Sequence, residues 1–462
     1  MTSTYLQPPA KLILLITTLT AFMTAFMGSS INIALPVIGI ELNSDAIMLS
    51  WLSTSYLVTT AALLLPAGRL TDIFGRTKFF KWGIILFTIG SLLSGVAPST
   101  ITLLLFRILQ GVGSSFIFSS STALLVSVYP QSDRGKVLGI NTAAVYIGLS
   151  SGPFLGGIIT HNLTWRGIFF INAFVGIALI ILTWVYLKHE WQEIQVHKYD
   201  YRGATIYIFS ILLLMLSVSL FPKPLGYILL LISLISFFMF YFTEKITTDP
   251  VLNTELFSSN RTFSLSNLAA LINYSATYAI SFLMSFYLQN VKNLTPQDAG
   301  IILITQPVLQ ALFSPIAGKL SDKTEPRFVA SAGMFLLTTG LVFFCFLNTD
   351  TSYTFIVANL AMMGLGFALF SSPNVNAIMS SVDKKYYGVA SSTLASMRMI
   401  GQMLSMGIVI VIFSIFIGSE RISSVNQDAF LNSAHTAFIL FSVLCFAGIF
   451  ASLARGKIHN NK

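Results

Sequence analysis

Apolar residues run through this chain in long unbroken blocks, with polar residues confined to the short stretches between them. The blocks fall at about 11–36, 47–67, 79–97, 101–128, 137–160, 167–187, 203–221, 225–243, 262–290, 296–318, 328–347, 352–375, 387–417 and 434–454. Each is about the twenty residues that an α-helix needs to cross the hydrocarbon of a bilayer. The pattern predicts an all-α integral membrane protein with fourteen transmembrane helices and no soluble domain. The stretch 250–263 is too polar to cross, and is expected to lie as a helix along the membrane surface.

Composition agrees with that reading. The 462 residues are 55% hydrophobic and 9% charged, whereas soluble domains carry about 25% charged residues. With the amino terminus inside, twenty of the 26 basic residues fall in inner loops, four (Arg166, Lys223, Lys292 and Arg421) outside, and two within spans. Basic loops are retained on the cytoplasmic side, so the expectation is a multi-pass cell-membrane protein with both termini cytoplasmic. The net charge of +9 then follows from topology and does not call for nucleic acid. The run from Lys11 is too long for a signal-peptide core and reads as a retained first helix. Cys345 and Cys445 sit in separate apolar runs and are expected as small buried hydrophobes. The five histidines lack ligand spacing, so no metal, cofactor or catalytic residue is expected.

Motifs refine the picture. Gly68-Arg69-Leu70-Thr71-Asp72-Ile73-Phe74-Gly75-Arg76-Thr77-Lys78 joins the second and third runs, its glycines suited to a sharp turn and Asp72 placed to meet orphan N–H groups at a helix start. Gly318-Lys319-Leu320-Ser321-Asp322-Lys323 echoes it after the tenth run, and Gly111-Val112-Gly113 in the fourth run pairs with Gly364-Leu365-Gly366 in the twelfth. The repeat predicts two six-helix bundles, 11–187 and 262–455, with two inserted helices in 188–261. Arg107 and Arg398 lie inside apolar runs, where a guanidinium must face a cavity or a partner. In the fifth run, Gly148, Gly152 and Gly156 recur every four residues beside Pro153 and Gly157, a spacing that lets helices approach closely.

The first loop, G-x-L-x-D-x-x-G-R-x-K, resembles the signature between the second and third helices of the major facilitator superfamily. The Arg107 run resembles that family's fourth-helix arginine motif, which is implicated in proton transfer, and the Gly148–Gly157 run its antiporter motif. Asn32-Ile33-Ala34-Leu35-Pro36 ending the first helix, Trp51 and Tyr56 in the second, Pro250-Val251-Leu252 with Leu256-Phe257, and Arg398 with Gly401 resemble the fourteen-helix drug:proton antiporter branch. The resemblance implies alternating access, with the loop Gly68, Arg69, Asp72, Gly75 and Arg76 as a cytoplasmic latch and Gly148, Gly152, Pro153, Gly156 and Gly157 as conformational residues. It implies efflux of amphipathic drug-like molecules in exchange for protons, by a bacterial monomer in the lipid bilayer.

One departure bears on substrate. The branch carries an aspartate five residues before the asparagine of the first helix, and Met27 stands there. All seventeen acidic residues fall in expected loops or helix ends. Neutral or anionic amphiphiles are therefore expected over lipophilic dications, and proton coupling is expected to use Arg107 with rim acids such as Glu41, Asp45, Asp72 or Asp298. Candidate substrate contacts are Asn32, Tyr56, Tyr146, Asn273, Tyr278, Gln306, Asn374 and Arg398. Gln310, Asn376 and Gln402 are further cavity candidates, and Met397, Met399, Met403 and Met406 suit core packing. The alternative reading is a dedicated exporter of one anionic metabolite or lipid, not necessarily proton-coupled, with the arginines as recognition groups.

Overall fold

The computed structural model describes residues 10–130, 132–190, 198–252, 254–383, 386–418 and 427–456. Arg421, Glu420, His197 and His459 lie outside the described residues. The described chain is helical, without strands. The helices are α1 (Ala10–Glu41), α2 (Ala46–Phe74), α3 (Arg76–Gly95), α4 (Thr100–Val128), α5 (Arg134–Asn162), α6 (Arg166–Tyr186), α7 (Tyr201–Leu220), α8 (Pro224–Ile246), α9 (Thr254–Ser259), α10 (Arg261–Val291), α11 (Pro296–Lys323), α12 (Pro326–Phe344), α13 (Tyr353–Ser380), α14 (Tyr387–Phe416) and α15 (Gln427–Ala454). Thirteen are long and apolar enough to cross a membrane. The fourteenth, α3, is diluted by Arg76, Lys78 and Lys81 but packs between α4 and α6. The surface helix expected over 250–263 shrinks to α9, because Asn260 caps α10 and starts it at Arg261.

Large side chains such as Phe174 (76% exposed) face outward, while serines and asparagines point in. That inversion suits a lipid surround, where apolar faces need no cover and buried polar groups act as glue between helices. Glycine pairs set the closest approaches. A Cβ on Gly113 would lie 2.7 Å from the Gly83 carbonyl, and one on Gly366 would lie 2.9 Å from the Gly333 carbonyl. The same contact thus joins α3 to α4 and α12 to α13. Likewise a Cβ on Gly111 would meet the Tyr56 carbonyl and one on Gly364 the Gln306 carbonyl, at 2.9 and 2.4 Å. The two six-helix sets are built on one plan, with Tyr56 and Gln306 at matching positions.

The inserted pair α7 and α8 is joined by Ser210 donating to Ser236 at 2.7 Å and Ser233 to the Ser210 carbonyl at 2.8 Å. Tyr207 donates to the Ala61 carbonyl of α2, and Ser414 of α14 to the Phe221 carbonyl. The pair therefore touches both bundles. The first helix does not end at Asn32–Pro36 as expected; it runs through Pro36 to Glu41.

Candidate functional site

The turn between α2 and α3 is the single residue Gly75, at φ +114°, a conformation that a side chain would strain. Asp72 consequently lies in the last turn of α2 and does not cap α3, which corrects the role expected for it. Its Oδ1 accepts from Arg76 Nε and Nη2 at 2.9 and 2.7 Å, and Arg76 reaches Ser127 of α4. The cap comes from elsewhere: the Glu190 carboxylate accepts from the Thr77 and Lys78 N–H groups at 2.8 and 3.1 Å. The repeat has its own version, in which Asn376 of α13 donates to Asp322 Oδ1 at 3.0 Å and Ser321 Oγ at 3.1 Å. We refer to the end of the molecule holding these ties as the basic end and to the other as the far end.

At the far end α5 and α11 meet through backbone. A Cβ on Gly157 would lie 2.4 Å from the Pro296 carbonyl, and one on Gly300 2.7 Å from that of Pro153. Asn162 donates to Gln297 at 3.4 Å, and Gln289 of α10 to the Ile33 carbonyl at 2.9 Å. Gly148, Gly152 and Gly156 face the other way, onto Phe22, Ser29 and Ser30 of α1. The five residues of that motif thus divide between holding one bundle together and sealing it against the other.

Between the bundles lies a cavity of about 110 Å³. Of the candidate substrate contacts, Asn32, Tyr146, Tyr278 and Gln306 line it, with Pro153, Gln310 and Gln402. Sequence reasoning missed Ser29, Tyr274, Ser281 and Phe367, ordinary residues for a packed helix. Tyr146 and Tyr274 hydroxyls are 2.8 Å apart across the bundles, and the Tyr278 hydroxyl donates to the Gly28 carbonyl at 2.9 Å. No carboxylate is on the cavity wall.

Arg107 is fully buried, so it does not snorkel to a surface. Its Nε donates to the Leu52 carbonyl at 3.2 Å and Nη1 to Gln110 at 2.9 Å, and its guanidinium stands 4.5 Å from the Tyr56 ring centre. Nη2 has no partner. Arg398 is 4% exposed, 5.9 Å from the rings of both Phe118 and Tyr146, and its Nε is also unpartnered. Neither arginine forms an ion pair within 4.0 Å among the described residues.

Besides Arg398, three expected contacts stand off the cavity wall. Tyr56 is turned into the first bundle, donating to the Thr24 carbonyl and bonded to Ser114 at 2.8 Å. Asn273 is fully enclosed with both amide atoms unpartnered. Asn374 is no cavity residue either. Its Oδ1 accepts from Arg455 at 2.9 Å and its Nδ2 donates to the Ser266 carbonyl, a knot joining α10, α13 and the end of α15. Arg455, fully buried, went unnoticed because it stands at the end of an apolar run.

The rim acids have structural partners. Asp45 caps α2 through the Met48 N–H at 2.7 Å. Glu41 accepts from Trp165 at 2.5 Å and pairs with Arg166. Asp298 accepts from the Thr295 hydroxyl at 2.7 Å in the first turn of α11. The methionines Met399, Met403 and Met406 pack in the core.

Two pseudo-symmetric helical bundles with a cavity between them define a membrane transporter. A family model described as Major Facilitator Superfamily matches residues 17–267 and 266–460, and the chain belongs to that superfamily. Its sequence is 30% identical over 438 residues to the riboflavin transporter RibZ of Clostridioides difficile, covering 95% of this chain and 96% of that protein. It is 27% identical to multidrug resistance protein 3 of Bacillus subtilis, covering 95% and 83% of the two chains. Among solved structures, a bacterial homologue of the human lysosomal transporter Spinster, inward-facing and unoccupied, superposes with a TM-score of 0.69 at 17% identity, covering 96% and 97%. The human organic anion transporter MFSD10 does so at 0.64 and 14% identity, covering 96% and 100%. These likenesses bear on the fold.

Proposed function

We propose that the protein exports amphipathic small molecules, neutral or anionic, across the bacterial cell membrane by alternating access in exchange for protons. It works as a monomer of the fourteen-helix drug:proton antiporter branch, with both termini and the basic end in the cytoplasm. The observation that carries the substrate class is the cavity wall: tyrosines, amides and hydroxyls without a carboxylate, backed by Arg107 and Arg398 with unpartnered guanidinium nitrogens. A dication would meet no counter-charge there, whereas an anion or a polarised neutral ring would meet donors. Arg107 and the rim acids Glu41, Asp45 and Asp298 are the candidates for proton coupling, and the Gly68–Lys78 turn is the gate.

A second reading is a dedicated exporter of a single anionic metabolite or lipid, with the two arginines as recognition groups. The riboflavin transporter relative favours a flat, hydrogen-bonding heterocycle as one such dedicated cargo, since the amides Gln306, Gln310 and Gln402 share the wall with three tyrosines. One experiment separates these readings. Purified protein in vesicles loaded with a pH-sensitive dye is offered cationic, neutral and anionic amphiphiles, riboflavin included. Saturable flux of several neutral and anionic compounds with dye response supports the first reading, and flux of one compound alone supports the second. Preferential flux of a quaternary dication contradicts both.

A further inference from the structure

We propose that Asp200 and Glu244, at the basic end of the inserted helix pair, hold one proton between their carboxyl groups, and that this proton site is strapped to the gate. Glu244, in the last turn of α8, is the one acidic residue that is buried among the described residues, at 1% exposed. Its Oε2 accepts the Leu252 N–H at 2.7 Å, and its Oε1 has no donor. Asp200 caps α7, its Oδ1 accepting the Gly203 N–H at 2.9 Å, and its Oδ2 has no donor either. Both orphan oxygens converge over Gly203. A Cβ built there would lie 2.2 Å from Glu244 Oε1 and 2.3 Å from Asp200 Oδ2.

No compensating charge stands by. Neither carboxylate has a basic nitrogen within 4.0 Å among the described residues. Of the ionisable groups around them, Lys198, just before α7, and Arg202 and Lys245, next along α7 and α8, are exposed to the surroundings. Tyr199 and Tyr201 precede and begin α7. The Tyr199 hydroxyl is pushed up to about 12 by burial and by Tyr201 and Asp200, so it stays neutral. From the strap comes Asp249, and from α2 comes Arg69, paired with Asp249 at 4.0 Å. Two carboxylates whose free oxygens both meet one Cβ position, with Glu244 buried, cannot both stay charged. One proton taken from water turns the pair into an O–H donor facing a carboxylate acceptor, which satisfies both orphan oxygens at once. A metal ion would need further ligands, and no group of three His, Cys, Asp or Glu suited to one occurs among the described residues.

The pair also has a mechanical link. Glu244 fixes Leu252 and with it the strap from 247 to 252, in whose middle Asp249 meets Arg69 of α2, six residues before the Gly75 turn. Losing the proton places two negative charges face to face at the root of that strap and loosens it from the gate. The link to transport rests on the gating reading of that turn; the proton itself does not.

Infrared spectroscopy of the intact protein in nanodiscs tests the site without requiring transport. The expected result is a protonated-carboxyl C=O band at neutral pH that is lost in Glu244→Gln and equally in Asp200→Asn, since either amide leaves the remaining acid a neutral donor and lets it ionise. Absence of the band in the unmodified protein, or its survival in Asp200→Asn, overturns the shared proton. Asp249→Asn should leave the band in place, and so serves as a folded control. For the strap, the pH profile of substrate counterflow should flatten in both carboxamide variants. A profile unchanged in both, with the band lost, overturns the link to the gate while leaving the site.

Discussion

A guanidinium removed from water, as at Arg107, must direct its donors to fixed acceptors. Burial of such a group without a partner is costly, yet Nη2 of Arg107 is left open while Nε and Nη1 are held by Leu52 and Gln110. On the proposed function, that open donor suits the residue to recognition or proton relay. A hydrogen bond to a charged group contributes about 1.5–3 kcal/mol, or about ten- to a hundredfold in rate. Arg107→Ala should therefore slow transport by at least about tenfold, and Arg107→Lys should not restore it, because one ammonium cannot reach Leu52, Gln110 and substrate together. Initial rates in vesicles at matched protein density check this, and full activity of the lysine variant would contradict it. Gly157 acts through what it lacks. Any side chain there drives into the Pro296 carbonyl, so Gly157→Val should prop α5 from α11 and expose a thiol placed at Gln297 to aqueous labelling from the far end. Labelling no faster than in the Gly157 parent would remove its sealing role.

Both residues were legible in the sequence because their types are anomalous inside an apolar run. Arg455, Glu244 and Glu190 were not, and the reason is shared. Each stands at the end of a run, where a one-dimensional reading places the side chain in water, and tertiary packing then covers it or puts it to use. Asn374 misled in the opposite sense. It looked like a cavity amide until Arg455, 81 residues on and just past the last helix, claimed it.

Among the elements, two spans of the second bundle are broken beside the cavity for different reasons. In α11 the cause is local: Pro307 has no N–H to offer the Leu303 carbonyl, and the helix opens at Ile304. In α10 the cause is distant. The Ala279 N–H donates to Ser405 of α14 at 3.0 Å instead of continuing the helix ladder, and the span breaks at Tyr278, a cavity residue. The first break could be read from sequence and the second could not. Pro307→Ala should straighten α11, raise thermal stability and lower transport several-fold, which a melting curve and a flux assay read together. Stability and flux rising together would show that the bend is incidental. The turn between α2 and α3 makes a separate prediction. Asp72→Asn weakens the tie to Arg76 without touching the cavity, so it should depress maximal rate more than apparent affinity. Equal loss of both, or neither, would remove the gating assignment.

For the whole molecule, the fourteen spans and the repeat were written plainly in the apolar blocks and in the paired Gly-x-Gly motifs, since lipid leaves so few alternatives to the helix. What the blocks did not carry was direction. No apolar pattern says which face of α5 meets α1 and which meets α11. On the proposed function the bundles rock about the central cavity, the α5–α11 seal at the far end opening as the basic end closes. The most direct test uses two spin-label pairs in vesicles, on a background with Cys345 and Cys445 replaced: Asn162→Cys with Gln297→Cys at the far end, and Lys136→Cys with Val389→Cys at the basic end. Pulsed electron–electron distance measurement should give two populations at each pair, shifting in opposite senses when substrate or pH is changed. A single distance at both ends under conditions of measured flux would contradict the account.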